Sequence, residues 1–99
     1  MRLSRLQRFV LTTTRDAGGK CDRRRFLRFY ADNPEPPSHD DQINTITKAL
    51  ERMIDQEFLI GYGVRTPKKW YIKEVKLMPA GRRLARKLQG EQQTLKFNT

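Results

Sequence analysis

Two runs rich in aromatic and β-branched residues stand either side of a five-residue turn, and the rest of the chain reads as helix. The runs are Phe58-Leu59-Ile60-Gly61-Tyr62-Gly63-Val64 and Trp70-Tyr71-Ile72-Lys73-Glu74-Val75-Lys76-Leu77, joined by Arg65-Thr66-Pro67-Lys68-Lys69. Strand formers around a short turn with a proline corner predict a β-hairpin. A lone hairpin is marginal in water, so this one must pack on helices. Its register stays open, because both faces of the second run carry apolar residues.

Three helical segments precede the hairpin. Residues 3–16 place Leu3, Leu6, Phe9, Val10 and Thr13 at spacings of three and four, with Ser4 as a cap and Gly18-Gly19 as a stop. Lys20-Cys21 is a short link or a single residue pair of strand. Asp22 then caps a second helix, Arg23 to about Ala31, that buries Phe26, Leu27 and Tyr30. Three prolines in Asp32–Pro37 exclude helix there. A third helix runs from about Ser38 to Glu57, capped by Ser38 or Asp40. Ile43, Ile46, Leu50, Met53 and Ile54 share one face, and Asp41, Thr45, Lys48 and Arg52 face away, with Asn44 and Asp55 at the edge. After the hairpin, Pro79 opens a fourth helix with Ala80, Leu84, Ala85 and Leu88 inside, ended by Gly90. The expectation is one domain over 1–90 and a polar, flexible tail over 91–99. The fold class is α+β, mainly α.

Ninety-nine residues allow one modest core. No stretch is apolar enough to span a membrane, and the first residues do not look like a secretory signal. The single cysteine, Cys21, excludes an internal disulfide, and a cytoplasmic, intracellular protein is the simplest expectation. Cys21 beside the arginine run reads either as a redox-sensitive thiol or as a small, half-buried residue, and the second is preferred. With one Cys and one His (His39), no metal site of ordinary ligand count can be built, and none is expected. No nucleophile–base constellation, P-loop or dinucleotide fingerprint is present. The chain is expected to be no enzyme and to need no cofactor.

Net charge is +10, which favours a polyanionic partner. The charge is uneven: net +7 over residues 1–30, −5 over 31–60 and +8 over 61–99. A docking surface for a polyanion therefore has to draw on the two ends, with the middle contributing selected residues.

The helix–helix–helix–hairpin–helix order is that of a winged helix-turn-helix: three helices, a β-hairpin wing and a C-terminal helix. The segment from Ile46 to Gly61 resembles the recognition helix and following strand of MarR-like and PadR-like winged-helix regulators, with Leu50, Met53, Leu59 and Ile60 matching in character. Phe58-Leu59 replaces the usual Gly-Leu. Val75-Lys76-Leu77-Met78-Pro79-Ala80-Gly81-Arg82 resembles the same family's Leu-Thr-Pro-x-Gly-Arg segment, with Met78 in place of Thr. The resemblance implies a DNA-binding domain of a transcriptional regulator, with the third helix in the major groove, and a possible homodimer. The first helix, or the last helix and tail, would have to join the two copies.

On that reading Asn44 suits adenine, Thr45 a thymine methyl or a phosphate, and Lys48 and Arg52 guanine or phosphate. The alternative is a solvated face on which Lys48 and Arg52 pair with Glu51 and Asp55. Arg65, Lys68 and Lys69 at the hairpin tip suit the backbone or the minor groove. Arg23, Arg24 and Arg25 open the second helix against its dipole, which points to phosphate contacts, the alternative being a basic solvated helix end. Arg82, Arg83, Arg86 and Lys87 read as a solvated basic face. Trp70 and Tyr71 can stack on bases or anchor the hairpin, and the core role is preferred. Duplex DNA is the expected partner. An RNA-binding module of a ribonucleoprotein and a protein-interaction module remain open alternatives, the second because of the acidic middle.

Overall fold

The structure, a computed structural model, describes residues 2–97, with the side chains of residues 2–90. It is an α+β arrangement of helices around a three-stranded antiparallel sheet. Helix α1 (Arg5–Asp16) begins in a capping box. Ser4 Oγ accepts from the Gln7 N–H at 3.1 Å, and Gln7 Oε1 accepts from the Ser4 N–H at 2.9 Å. Leu6, Val10, Leu11 and Thr14 form its buried face, and the Thr14 hydroxyl is satisfied by the Val10 carbonyl at 2.6 Å. The helix ends where Gly18 and Gly19 turn with φ of +90° and +99°.

The link after these glycines is a true strand, β1 (Lys20–Asp22). It pairs with β3 (Trp70–Leu77), which also pairs with β2 (Leu59–Arg65), so the sheet order is β1-β3-β2. The register between β2 and β3 slips between Tyr62 and Gly63: Tyr62 lies opposite Glu74 but Gly63 lies opposite Ile72. Lys73 is the extra residue of a β-bulge. This resolves the two apolar faces of the second run. Leu77 and Val75 point inward on one parity; past Lys73 the parity flips and Ile72 is inward instead. The bulge also parts the two aromatics. Trp70 packs against the core, where its ring and Ile54 close over Gly61, as expected. Tyr71 is half exposed on the outer face, contrary to the preference for a core role.

Arg23–Tyr30 is a 3-10 helix rather than an α-helix, capped by Asp22, whose Oδ1 accepts from the Arg24 N–H at 2.8 Å. Only Phe26 is fully buried along it. The segment is pinned between β1 pairing and the proline-rich connection, where short 3-10 pieces commonly serve as connectors. Helix α2 (His39–Asp55) is capped by Ser38 and buries Ile46, Leu50 and Met53. It stops at Glu57, which adopts φ +65° where a glycine would ordinarily stand. Helix α3 (Pro79–Phe97) continues through Gly90, where the sequence predicted its end. A glycine weakens a helix interior by about 1 kcal/mol but does not break it. The side chains of the expected tail, 91–99, lie outside the described residues.

The core joins all elements: Val10 and Leu11 of α1, Phe26, Ile46, Leu50 and Met53 of α2, Leu59, Ile72 and Val75 of the sheet, and Ala85 of α3. Cys21 is buried with them. Among the described residues, no helix is long and apolar enough to cross a membrane.

Candidate nucleic-acid interface

Asn44, Thr45, Lys48 and Arg52 are all exposed on α2. They do not form one uniform face. Thr45, Lys48 and Arg52, with Gln56 one turn on, line a cleft of about 690 Å³ against Arg2 and the start of α1. Asn44 lies toward the other flank, which carries Asp40, Glu51 and Asp55 at helical spacing.

Among the described residues, no carboxylate lines the cleft. The pairs of Lys48 and Arg52 with Glu51 and Asp55, which the alternative reading of this face required, do not form. Among the described residues the ion pairs are Lys20–Glu74 at 3.4 Å and Arg24–Asp22 at 3.1 Å. The polar groups of Ser4 and Gln7 are engaged in the capping box. Three cations therefore converge on the cleft with no partner charge among the described residues, beside the positive end of α1. Arg2 and Gln56 were not legible as site residues. The distance along the chain between Arg2 and Arg52 hides their proximity, which only the packing of α1 on α2 creates.

Arg23 does not join a surface for phosphate. It is turned inward and donates to the Ile43 carbonyl at 3.1 Å, the Thr47 hydroxyl at 2.7 Å and the Ile72 carbonyl at 3.2 Å. Burial holds its pKa below the usual arginine value. Its guanidinium fork is the staple that fastens the 3-10 helix to α2 and to β3. Arg24 is exposed, but its Nε and Nη2 donate to the Asp22 carboxylate at 3.1 Å each, so its charge is already partnered. The Arg24 side chain and its backbone N–H hold Asp22 below the usual carboxylate range. Of the arginines on this segment, Arg25 and Arg28 remain exposed and without an ion pair among the described residues.

At the hairpin tip, Thr66 orders the turn. Its N–H and hydroxyl donate to the Lys69 carbonyl at 2.8 and 2.9 Å, and its oxygen accepts from the Lys69 N–H at 3.0 Å. Arg65 lies over the Trp70 ring at 5.0 Å and Lys69 over the Tyr71 ring at 5.2 Å. Lys68 is exposed. The structure thus brings Thr45, Lys48 and Arg52 together, sets Arg65, Lys68 and Lys69 on a separate tip, and leaves Arg23 half-buried with its guanidinium engaged in hydrogen bonds.

No family model, curated protein or solved structure matches this chain.

Proposed function

We propose that this chain is a winged-helix protein that binds duplex DNA, acting as a transcriptional regulator and without catalysis. The observation that carries the reading is the cleft between α1 and α2, where Arg2, Lys48 and Arg52 meet without a carboxylate. Like charges gathered in one concave site attract a polyanion, and releasing its counterions supplies the affinity. The element order and the β1-β3-β2 sheet support the winged-helix reading. Asn44 faces bases on this view, while Thr45, Lys48 and Arg52 take the backbone alongside, and the hairpin tip takes the next phosphates.

Two features depart from the helix-turn-helix pattern. Residues 31–38 separate the 3-10 helix from α2, more than the usual three- to four-residue turn. Asp40 and Asp41 occupy the first turn of α2. They suit the helix dipole but repel phosphate, which moves the useful contacts from the helix start to Asn44 and beyond. The acidic flank of Asp40, Glu51 and Asp55 also favours a second reading, a protein-interaction module that docks a basic partner.

The test is titration of a labelled duplex of random sequence across a salt series. Affinity should fall steeply with salt, and replacing Arg2, Lys48 and Arg52 together by alanine should flatten the slope by roughly 0.9 for each phosphate no longer neutralised. Absence of binding at low salt overturns the DNA reading and favours the protein partner.

A further inference from the structure

The described residues expose four large hydrophobic side chains, and all four lie on one face of the hairpin: Ile60 (39%), Tyr62 (38%), Val64 (53%) and Tyr71 (50%). The register explains why they share a face. Ile60 is opposite Lys76, Tyr62 opposite Glu74 and Val64 opposite Tyr71, while the intervening Leu59 and Ile72 point into the core. Tyr62 and Tyr71 are therefore diagonal neighbours on adjacent strands, at the roughly 7–8 Å spacing at which aromatic side chains of one sheet face act together. Helix α2 covers the opposite face, through Ile54 and Gly61.

The surroundings of these rings are cationic. Lys20 Nζ lies 5.0 Å from the Tyr62 ring centroid and Lys69 Nζ 5.2 Å from that of Tyr71. Lys76 is exposed beside Ile60. The carboxylates on this face are Glu74, paired with Lys20, and Asp22, paired with Arg24.

We infer that the outer face of the sheet is a stacking platform for unpaired bases of a single-stranded nucleic acid. An incoming base takes the place of the ammonium on each tyrosine ring, and the long lysine side chain swings to the phosphate. Ring faces interleaved with cations are what sequence-tolerant single-strand binding requires. Ile60 and Val64 supply an apolar floor beside the rings. The charge decides against a second copy as the occupant: two chains of +10 repel, whereas a polyanion is drawn to the same face. This surface is separate from the cleft between α1 and α2, so it does not depend on the duplex reading.

The test uses the full chain, a labelled oligothymidine of about a dozen nucleotides, and a duplex of the same length. Replacing Tyr62 or Tyr71 by alanine should weaken oligothymidine binding roughly 5- to 150-fold each, with phenylalanine restoring it and duplex binding unchanged. Ultraviolet crosslinking of the wild-type chain to oligothymidine, mapped by mass spectrometry, should mark Tyr62 and Tyr71, and needs no variant to fold. Wild-type affinity in the alanine variants overturns the inference. So do equal losses for single strand and duplex, or crosslinks confined to α2 and the hairpin tip. A concentration-dependent dimer dissolved by Tyr62→Ala would also overturn it, and would assign the patch to self-association.

Discussion

Gly81 and Gly90 stand in the same helix, and the same substitution should act on them with opposite sign. Alanine is favoured over glycine inside a helix by about 1 kcal/mol. At Gly90 an added Cβ meets no described atom within 4 Å. Gly90→Ala should therefore gain about 1 kcal/mol and raise the melting temperature by roughly 4–8 °C. At Gly81 the added Cβ would stand 2.1 Å from the Phe58 carbonyl oxygen and 3.0 Å from its carbon. The obstacle is backbone, which cannot swing aside as a long side chain does. It is also anchored, since the same carbonyl accepts from the Met78 N–H at 2.9 Å. Overpacking of this kind costs about 1–3 kcal/mol, and the upper end applies because relief must separate the start of α3 from the chain leading into β2. Subtracting the propensity gain leaves a net loss of about 2 kcal/mol and a fall in melting temperature of roughly 10 °C. Thermal and urea melts followed by circular dichroism measure both. A rise in melting temperature for Gly81→Ala would refute the reasoning, because α3 would then not approach Phe58 as described.

Arg23→Lys should lower stability by roughly 1.5–3 kcal/mol in urea melts, since one ammonium cannot serve three acceptors spread over two elements; duplex affinity should stay unchanged where the variant is folded, and a selective loss of affinity would return Arg23 to the surface. Burial pushes the Cys21 thiol above its usual pKa, with Arg25 opposing; a thiol reagent at pH 8 should modify the native chain far more slowly than the urea-unfolded one, and equal rates would disprove the burial. Charge reversal at Lys68 and Lys69 should weaken binding to all duplexes alike, whereas Asn44→Ala should change the preferred sequence in a selection experiment. Identical behaviour of the two would contradict the separation of tip from helix face.

Local signals carried much of the fold. The Ser4 cap, the apolar stripe of α2, the β3 limits and the opening of α3 at Pro79 all depend on neighbours within a turn or a strand, and each stands where the sequence put it. What escaped depends on distant partners. β1 is three residues long, and nothing in Lys20-Cys21-Asp22 distinguishes strand from link until β3 lies beside it. Arg23, Arg24 and Arg25 are indistinguishable in the sequence; packing alone assigns one to a staple, one to Asp22 and one to solvent. Trp70 keeps the core role expected of it and Tyr71 loses it, because one inserted residue, Lys73, shifts the parity of the strand. The candidate cleft was half legible for the same reason: α2 supplies residues that patterning finds, and Arg2 joins them only across the packed interface.

The central place of β3 also sets the order in which this fold can be made. Its residues hold both other strands, Lys20 to Asp22 on one side and Leu59 to Arg65 on the other. As the chain leaves the ribosome from its N-terminus, β1 emerges early and β2 later, yet neither has a strand to bond until Trp70 to Leu77 follows. Until then the helices can form, but their apolar faces lack the sheet that closes over them. The nascent chain must therefore hold an open core until β3 follows, and a stop between Asp55 and Trp70 would release a product with three helices and no sheet.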